Sequence, residues 1–278
     1  MLDFSGEALR DTIDANVASA ENRTRGRHHF GASQAGVPCA RAAFYVWRWA
    51  DQPQFAGRML RLFARGHAEE QKIVDLLAGV GIEVTTRDPV TGKQYVFSDF
   101  GGFFGGSCDG VIMPAPQHGI HEPWLFECKT HNTKSFVNMV NNGGMRKNKP
   151  IHYDQMQLYM HYFKLKFGLY AAINKNDDAL YFERVAYDET RALELVARVG
   201  RVVHATTPPA RFRQSPSAFE CKLCDFHGVC WKGKVVRKNC RTCVHVTPCE
   251  GEWRCAKFGQ AIPEEFTERG CDGWEAAF

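Results

Sequence analysis

The stretch Trp124–Thr130, "WLFECKT", sets an acid and a base inside what otherwise reads as a core strand. Side chains alternate faces along a strand, so Trp124, Phe126 and Cys128 point one way and Leu125, Glu127 and Lys129 the other. Glu127 and Lys129 are therefore neighbours on one face. A charge taken out of water is costly unless it is paired, hydrogen-bonded or bound to a metal. Two readings follow: an ion pair on a solvent-facing edge strand, or a catalytic site.

Outward from this stretch, "IEVTTRD", "QYVFSDF" and "FFGGSCDGVIM" read as strands, and "LYAAINK" and "ALYFERVAY" as two more on either side of the turn "NDD". A short aromatic helix is predicted over "ARAAFYVWRWAD", and a long amphipathic one over "GRMLRLFARGHAEEQKIVDLLAGVG", closed by Gly79 and Gly81. A third helix follows Pro150 over "IHYDQMQLYMHYFKLKF", and a fourth runs from Asp188 to about Ala205. This order predicts an α/β fold, a mixed central sheet flanked by helices, with a small metal-stabilised C-terminal extension. The expected division is residues 1–236 as the main domain and 237–278 as a cysteine-rich tail.

A chain of 278 residues suits one large domain with such an appendage. No apolar run approaches the roughly 18–20 residues of a membrane span. The segment "MLDFSGEALRDTIDAN" carries acids where a secretion signal has a basic start and an apolar core, so a cytoplasmic protein is expected. Eleven cysteines in a reducing compartment point to metal rather than disulfides, and eight of them crowd residues 221–271. The net charge of +4 says little, but its distribution says more. Residues 129–166 carry seven basic residues against one acid, and residues 231–258 seven against two. Two basic segments on an otherwise acidic chain suit a polyanionic partner, although charge runs are often only solvated faces.

The turn "GGSCDGVI" places Asp109 on the strand before "FECKT". The carboxylates of Asp109 and Glu127, with the backbone carbonyl of Cys128, supply hard oxygen ligands for Mg²⁺ or Mn²⁺. Such an ion lowers the pKa of bound water and neutralises charge growing on a phosphate oxygen. Lys129, on the face of Glu127, is suited to orient that water. Gln155 and Tyr159 lie four residues apart and share a helix face, with Gln157 as an out-of-phase alternative. Arg146, Lys147 and Lys149 form a basic run suited to DNA phosphates.

Asp109 followed by Glu127-x-Lys129 resembles the core motif of the PD-(D/E)XK nuclease superfamily, with Cys108 where that motif has proline. Further motifs are similar to those of its RecB-like members. "RGHAEEQ" places Glu70 four residues after Gly66, as in lambda-type viral exonucleases, where RecB-like enzymes have histidine; His67 is the competing candidate. Gln155 and Tyr159 match the Gln-x3-Tyr motif, whose polar ends approach the scissile strand. "SQAGVPCARAAFY" matches the N-terminal Ser-x5-Cys-x-Arg-x3-Tyr segment of the iron–sulfur type at Ser33, Cys39, Arg41 and Tyr45, and "CKLCDFHGVC" its Cys-x2-Cys-x5-Cys run. The resemblance covers residues 30–235 and extends to a CRISPR-adaptation nuclease and the nuclease domains of helicase–nuclease repair enzymes. It implies a restriction-endonuclease-like core and a [4Fe–4S] cluster held by Cys39, Cys221, Cys224 and Cys230, with a zinc ion on the same four as the alternative. Such a cluster would close a loop of nearly the whole nuclease and act structurally. Cys108 and Cys128 read as small core residues.

The tail lies outside that resemblance. Cys240 and Cys243 have zinc-knuckle spacing, and Cys255 and Cys271 complete a four-thiolate site in which Cys249 or His245 are substitutes. The expected activity is that of a metal-dependent DNA exonuclease in recombination, replication or repair. Its partners would be DNA (linear ends or single strands) and a single-strand-annealing protein, helicase or similar factor; a viral enzyme would act in the host cytoplasm. The alternative is a non-catalytic nucleic-acid-binding or adaptor protein with iron–sulfur and zinc modules.

Overall fold

The strand Trp124–His131 lies at the centre of a five-stranded mixed sheet. The computed structural model describes residues 5–21 and 27–278. Across the sheet the order is Val84–Thr85, Gly110–Ile112, Trp124–His131, Phe167–Asn174 and Leu180–Ala186. The central strand runs parallel to Phe167–Asn174, and every other pairing is antiparallel. The fold is thus α/β with helices on both sides of a mixed sheet, as the element order predicts. A solvent-facing edge strand at Glu127 is ruled out by this position.

The alternation read from "WLFECKT" sorts its residues onto two cores. Trp124, Phe126 and Cys128 pack with Ile73 and Leu77 of the long helix Gly57–Gly79. Leu125 belongs to the larger cluster on the other face, together with Met156, Leu158 and Tyr159 of the helix Pro150–Phe163. Leu125 and Phe126 are completely buried, and each such side chain contributes about 1.5–3 kcal/mol. Pro150 starts the second helix, where its missing N–H costs nothing. Lys164 ends it in the left-handed conformation, at φ 57°.

Two expectations need correction. "FFGGSCDGVIM" is not one strand: Phe104–Ser107 pairs with Val96–Asp99 and Phe30–Gly31 in a separate three-stranded sheet, while Gly110–Ile112 belongs to the main one. Asp109 therefore sits at the bend where the chain passes between sheets. The tail is also more regular than its sequence suggests. Val246–Cys249, Glu252–Cys255 and Gln260–Ala261 form an antiparallel sheet whose Val246, Trp253 and Cys255 join the larger core.

That junction is built on two buried arginines. Arg48 donates to the carbonyls of Arg241 (2.9 Å) and Ala205, and Arg241 donates back to the carbonyl of Trp47 (3.1 Å) and to that of His28 (2.8 Å). The Arg241 guanidinium lies 3.6 Å from the ring centroid of Trp49, with Trp47 and Trp253 also within cation–π range. Burial pulls its pKa down to about 9. Among the described residues no helix is long and apolar enough to cross a membrane.

Candidate active site

Three elements converge on the Leu125 face of the central strand. The strand itself supplies Glu127 and Lys129, the bend before Gly110 supplies Asp109, and the helix Pro150–Phe163 supplies Gln155 and Tyr159. Glu127 is completely buried. Its Oε1 contacts Nζ of Lys129, yet neither carboxylate oxygen receives a well-formed hydrogen bond from the protein. Lys129 Nζ also lies 3.7 Å from Oδ2 of Asp109, and the Cys128 N–H donates to that same oxygen at 2.9 Å. The backbone of the central strand thereby fixes the second carboxylate beside the first.

Electrostatics follow from this crowding. Burial, reinforced by the Asp109 carboxylate and opposed by Lys129, pushes the Glu127 carboxyl up to about 8. Glu70 is also raised, first by burial and then by Asp109, which brings the long helix into the same field. Its neighbour His67 pairs with it, Nδ1 lying 3.5 Å from Oε1, and the imidazole itself is largely exposed. Burial lowers the Lys129 pKa, and the carboxylates of Glu127 and Asp109 more than reverse that, so its ammonium stays charged. Three carboxylates against one lysine leave excess negative charge in a partly buried site. A cation relieves that excess.

Gln155 Nε2 donates to the Tyr159 hydroxyl at 3.3 Å, and both side chains are buried. Burial and then Glu127 raise the Tyr159 pKa, so the phenol keeps its proton beside the acids. Gly106 makes room for the ring: a Cβ there would stand 3.0 Å from Tyr159 Cε1. Gln157 points elsewhere, donating to the Ala186 carbonyl and accepting from the Asp188 N–H. Cys108 and Cys128 are buried core residues, and burial pushes the Cys128 thiol up to about 12. Of the basic run, Arg146 is engaged with Asp188 (3.3 Å) and the Tyr153 ring, whereas Lys147 and Lys149 follow on the same short helix and its cap.

The cysteines fall into two groups. Cys39, Cys221, Cys224 and Cys230 line one cavity with Arg41, Tyr45 and His227. Cys39 caps the helix Ala40–Trp47, its sulfur accepting from the Ala42 N–H, and Arg41 donates to the Tyr45 hydroxyl at 2.9 Å. Cys240, Cys243, Cys255 and Cys271 line a second cavity with His245, while Cys249 does not. Burial, with the three neighbouring thiols, raises the Cys240 pKa. Both foursomes suit a thiophilic metal by donor chemistry. Neither these thiols nor the carboxylates of Asp109, Glu127 and Glu70 are drawn tight: among the described residues no three His, Cys, Asp or Glu groups stand at ion-holding distance.

One polar group escaped the sequence reading. Tyr170, cross-strand partner of Glu127, has its hydroxyl 2.9 Å from His131 Nε2 and 2.8 Å from His152 Nδ1. Only the alternation of His131 with Lys129 and Glu127 hinted at it.

No family model matches the sequence, and no curated protein matches it. Among solved structures, similar chains include an alkaline exonuclease (LHK-Exo) from Laribacter hongkongensis, at 17% identity over 66% of this chain and 90% of that one, TM-score 0.45. SSO0001 is 16% identical over 82% of this chain and 98% of its own, TM-score 0.43. A phage-related exonuclease from Haemophilus somnus 129PT is 14% identical over 50% and 68%, TM-score 0.36. At these scores the functional reading rests on the site's own geometry.

Proposed function

We propose that the chain is a metal-dependent deoxyribonuclease of the PD-(D/E)XK type. The observation that carries this reading is Glu127: a fully buried carboxylate whose Oε1 meets only the Lys129 ammonium and whose Oε2 has no partner, beside two further acids. An orphaned buried carboxylate is a standing cost unless a ligand satisfies it. Asp109, Glu127, Glu70 and the Cys128 carbonyl would hold Mg²⁺ or Mn²⁺, which when bound polarises a phosphate oxygen and acidifies water.

The chain's own residues do the rest. Lys129, kept protonated by Glu127 and Asp109, orients the attacking water and offsets charge growing on the phosphate. Tyr159, kept neutral and aligned by Gln155, offers a hydroxyl to the strand rather than a phenolate. Lys147 and Lys149 hold flanking phosphates, which makes binding salt-dependent. Action from DNA ends, and a place in recombination, replication or repair beside an annealing protein or helicase, come from the sequence resemblance. Cys39, Cys221, Cys224 and Cys230 would carry an iron–sulfur cluster that closes the nuclease. Cys240, Cys243, Cys255 and Cys271 would carry zinc in the tail.

The test is anaerobically purified protein, wild type and Glu127→Gln, on end-labelled linear and circular DNA with Mg²⁺ or Mn²⁺. Metal-dependent loss of linear DNA by wild type alone is expected. Cutting of circles by wild type would make it an endonuclease, and DNA binding without cleavage under either metal would leave a binding protein.

A further inference from the structure

The helix Pro150–Phe163 presents His152, Gln155 and Tyr159 at spacings of three and four, along one face. The strand below presents Glu127, Lys129 and His131 along one of its faces. The two polar rows run side by side. At one end lie the acids, the lysine, Gln155 and Tyr159; at the other, the Tyr170 hydroxyl bridges His131 and His152. His131 is tied further to Ser135 Oγ at 3.1 Å, and the Ser135 N–H donates to the capping side chain of Asn132. His131 and Tyr170 are buried, and His152 is half-buried.

We infer that His131, Tyr170 and His152 are positioning residues for the proposed cleavage reaction, locking the strand that carries Glu127 and Lys129 in register with the helix that carries Gln155 and Tyr159. This rests on the nuclease reading of the site. The bonding pattern is directional, because a phenol has one proton: it donates to one imidazole and accepts the N–H of the other. The imidazole that accepts the phenol proton is therefore held neutral, and both rings are held in a fixed orientation. Burial, followed by nearby lysines, supports this, lowering His131 to about 4 and His152 to about 3. Two hydrogen bonds to one oxygen tie the strand of His131 and the helix of His152 to a common point, adding a directional constraint to the apolar packing between them. A slip of one element past the other is what an in-line reaction tolerates least.

The experiment compares steady-state cleavage by wild type, Tyr170→Phe, His152→Leu and His152→Asn, each checked for folded fraction and melting temperature. Tyr170→Phe keeps the ring and removes both bonds. It should lower kcat by about 10- to 100-fold with KM for DNA nearly unchanged. His152→Leu should behave alike, and His152→Asn, whose amide nitrogen takes the place of Nδ1, should recover most of the loss. Full kcat in Tyr170→Phe beside an active wild type would overturn the positioning role alone. So would equal activities of the Asn and Leu variants. A wild type that cuts no DNA would remove the nuclease reading, and this one with it.

Discussion

Glu127 and Arg241 are both charges removed from water, and they are treated in opposite ways. Arg241 is caged: three tryptophan rings surround its guanidinium and two carbonyls accept its Nη groups, leaving only Nε unbonded. Its reciprocal partner Arg48 is treated alike. Glu127 meets one lysine and an unfavourable neighbour, Asp109, and no donor completes its oxygens. The caged charge is spent on joining the tail to the core. The uncaged one keeps its capacity for something not made of protein. A buried charge thus signals function by what it lacks.

Substitutions can break that contrast. The largest effect is expected for Glu127→Gln, which should lower cleavage by about 10³-fold or more. It should also raise stability by about 1–3 kcal/mol in urea unfolding of the metal-free protein, because burial and Asp109 make this carboxyl costly to ionise on folding. A variant both inactive and less stable would mean that Glu127 serves the fold. Lys129→Ala comes next, at roughly 10²–10⁴ in rate if it takes part in proton transfer; full activity would remove it from the site. Arg241→Met is the mirror case. It strands the carbonyls of Trp47 and His28 and should cost about 2–3 kcal/mol, with cleavage per folded molecule unchanged.

The last expected effect is a slope. Burial and the Asp109 carboxylate push the Glu127 carboxyl of the folded, metal-free protein up to about 8, against an ordinary value of 4.5. Between those values the folded state holds a proton that the unfolded state has lost, so this group's contribution to stability falls as pH rises and levels off above about 8. Glu127→Gln has no such group. Its melting-temperature advantage over wild type should widen from pH 5 to pH 8, and a constant difference would contradict the shift.

Much of this was legible because its determinants are local. Glu127 and Lys129 declare their shared face through the period of a strand, and Pro150, Gln155 and Tyr159 theirs through a helix. Cys-x2-Cys spacing marked Cys221 with Cys224 and Cys240 with Cys243, whereas Cys39, Cys255 and Cys271 carry no such spacing, and all seven line the two cavities. What stayed hidden depends on pairings far apart in sequence. His131 and His152 meet at Tyr170, 39 and 18 residues away, and nothing local marks an imidazole that faces a distant phenol. The turn at Cys108–Asp109 was legible, but not that it divides two sheets, because both flanking segments read as extended. Tail strands of four residues are too short for alternation to stand out. The helix Gly6–Glu21 repeats Leu9, Ile13 and Val17 at spacings of four, a local signal of the same kind.

The bond from Arg48 to the Arg241 carbonyl spans 193 positions of the chain, and the return bond from Arg241 goes to the carbonyl of Trp47. A ribosome adding roughly 5–20 residues per second needs on the order of 10–40 s to cover that distance. Until then the carbonyl of Trp47 and the rings of Trp47 and Trp49 lack the guanidinium that later covers them. The aromatic helix is thus made early and finished late, and in the interval it presents the kind of apolar surface that chaperones hold.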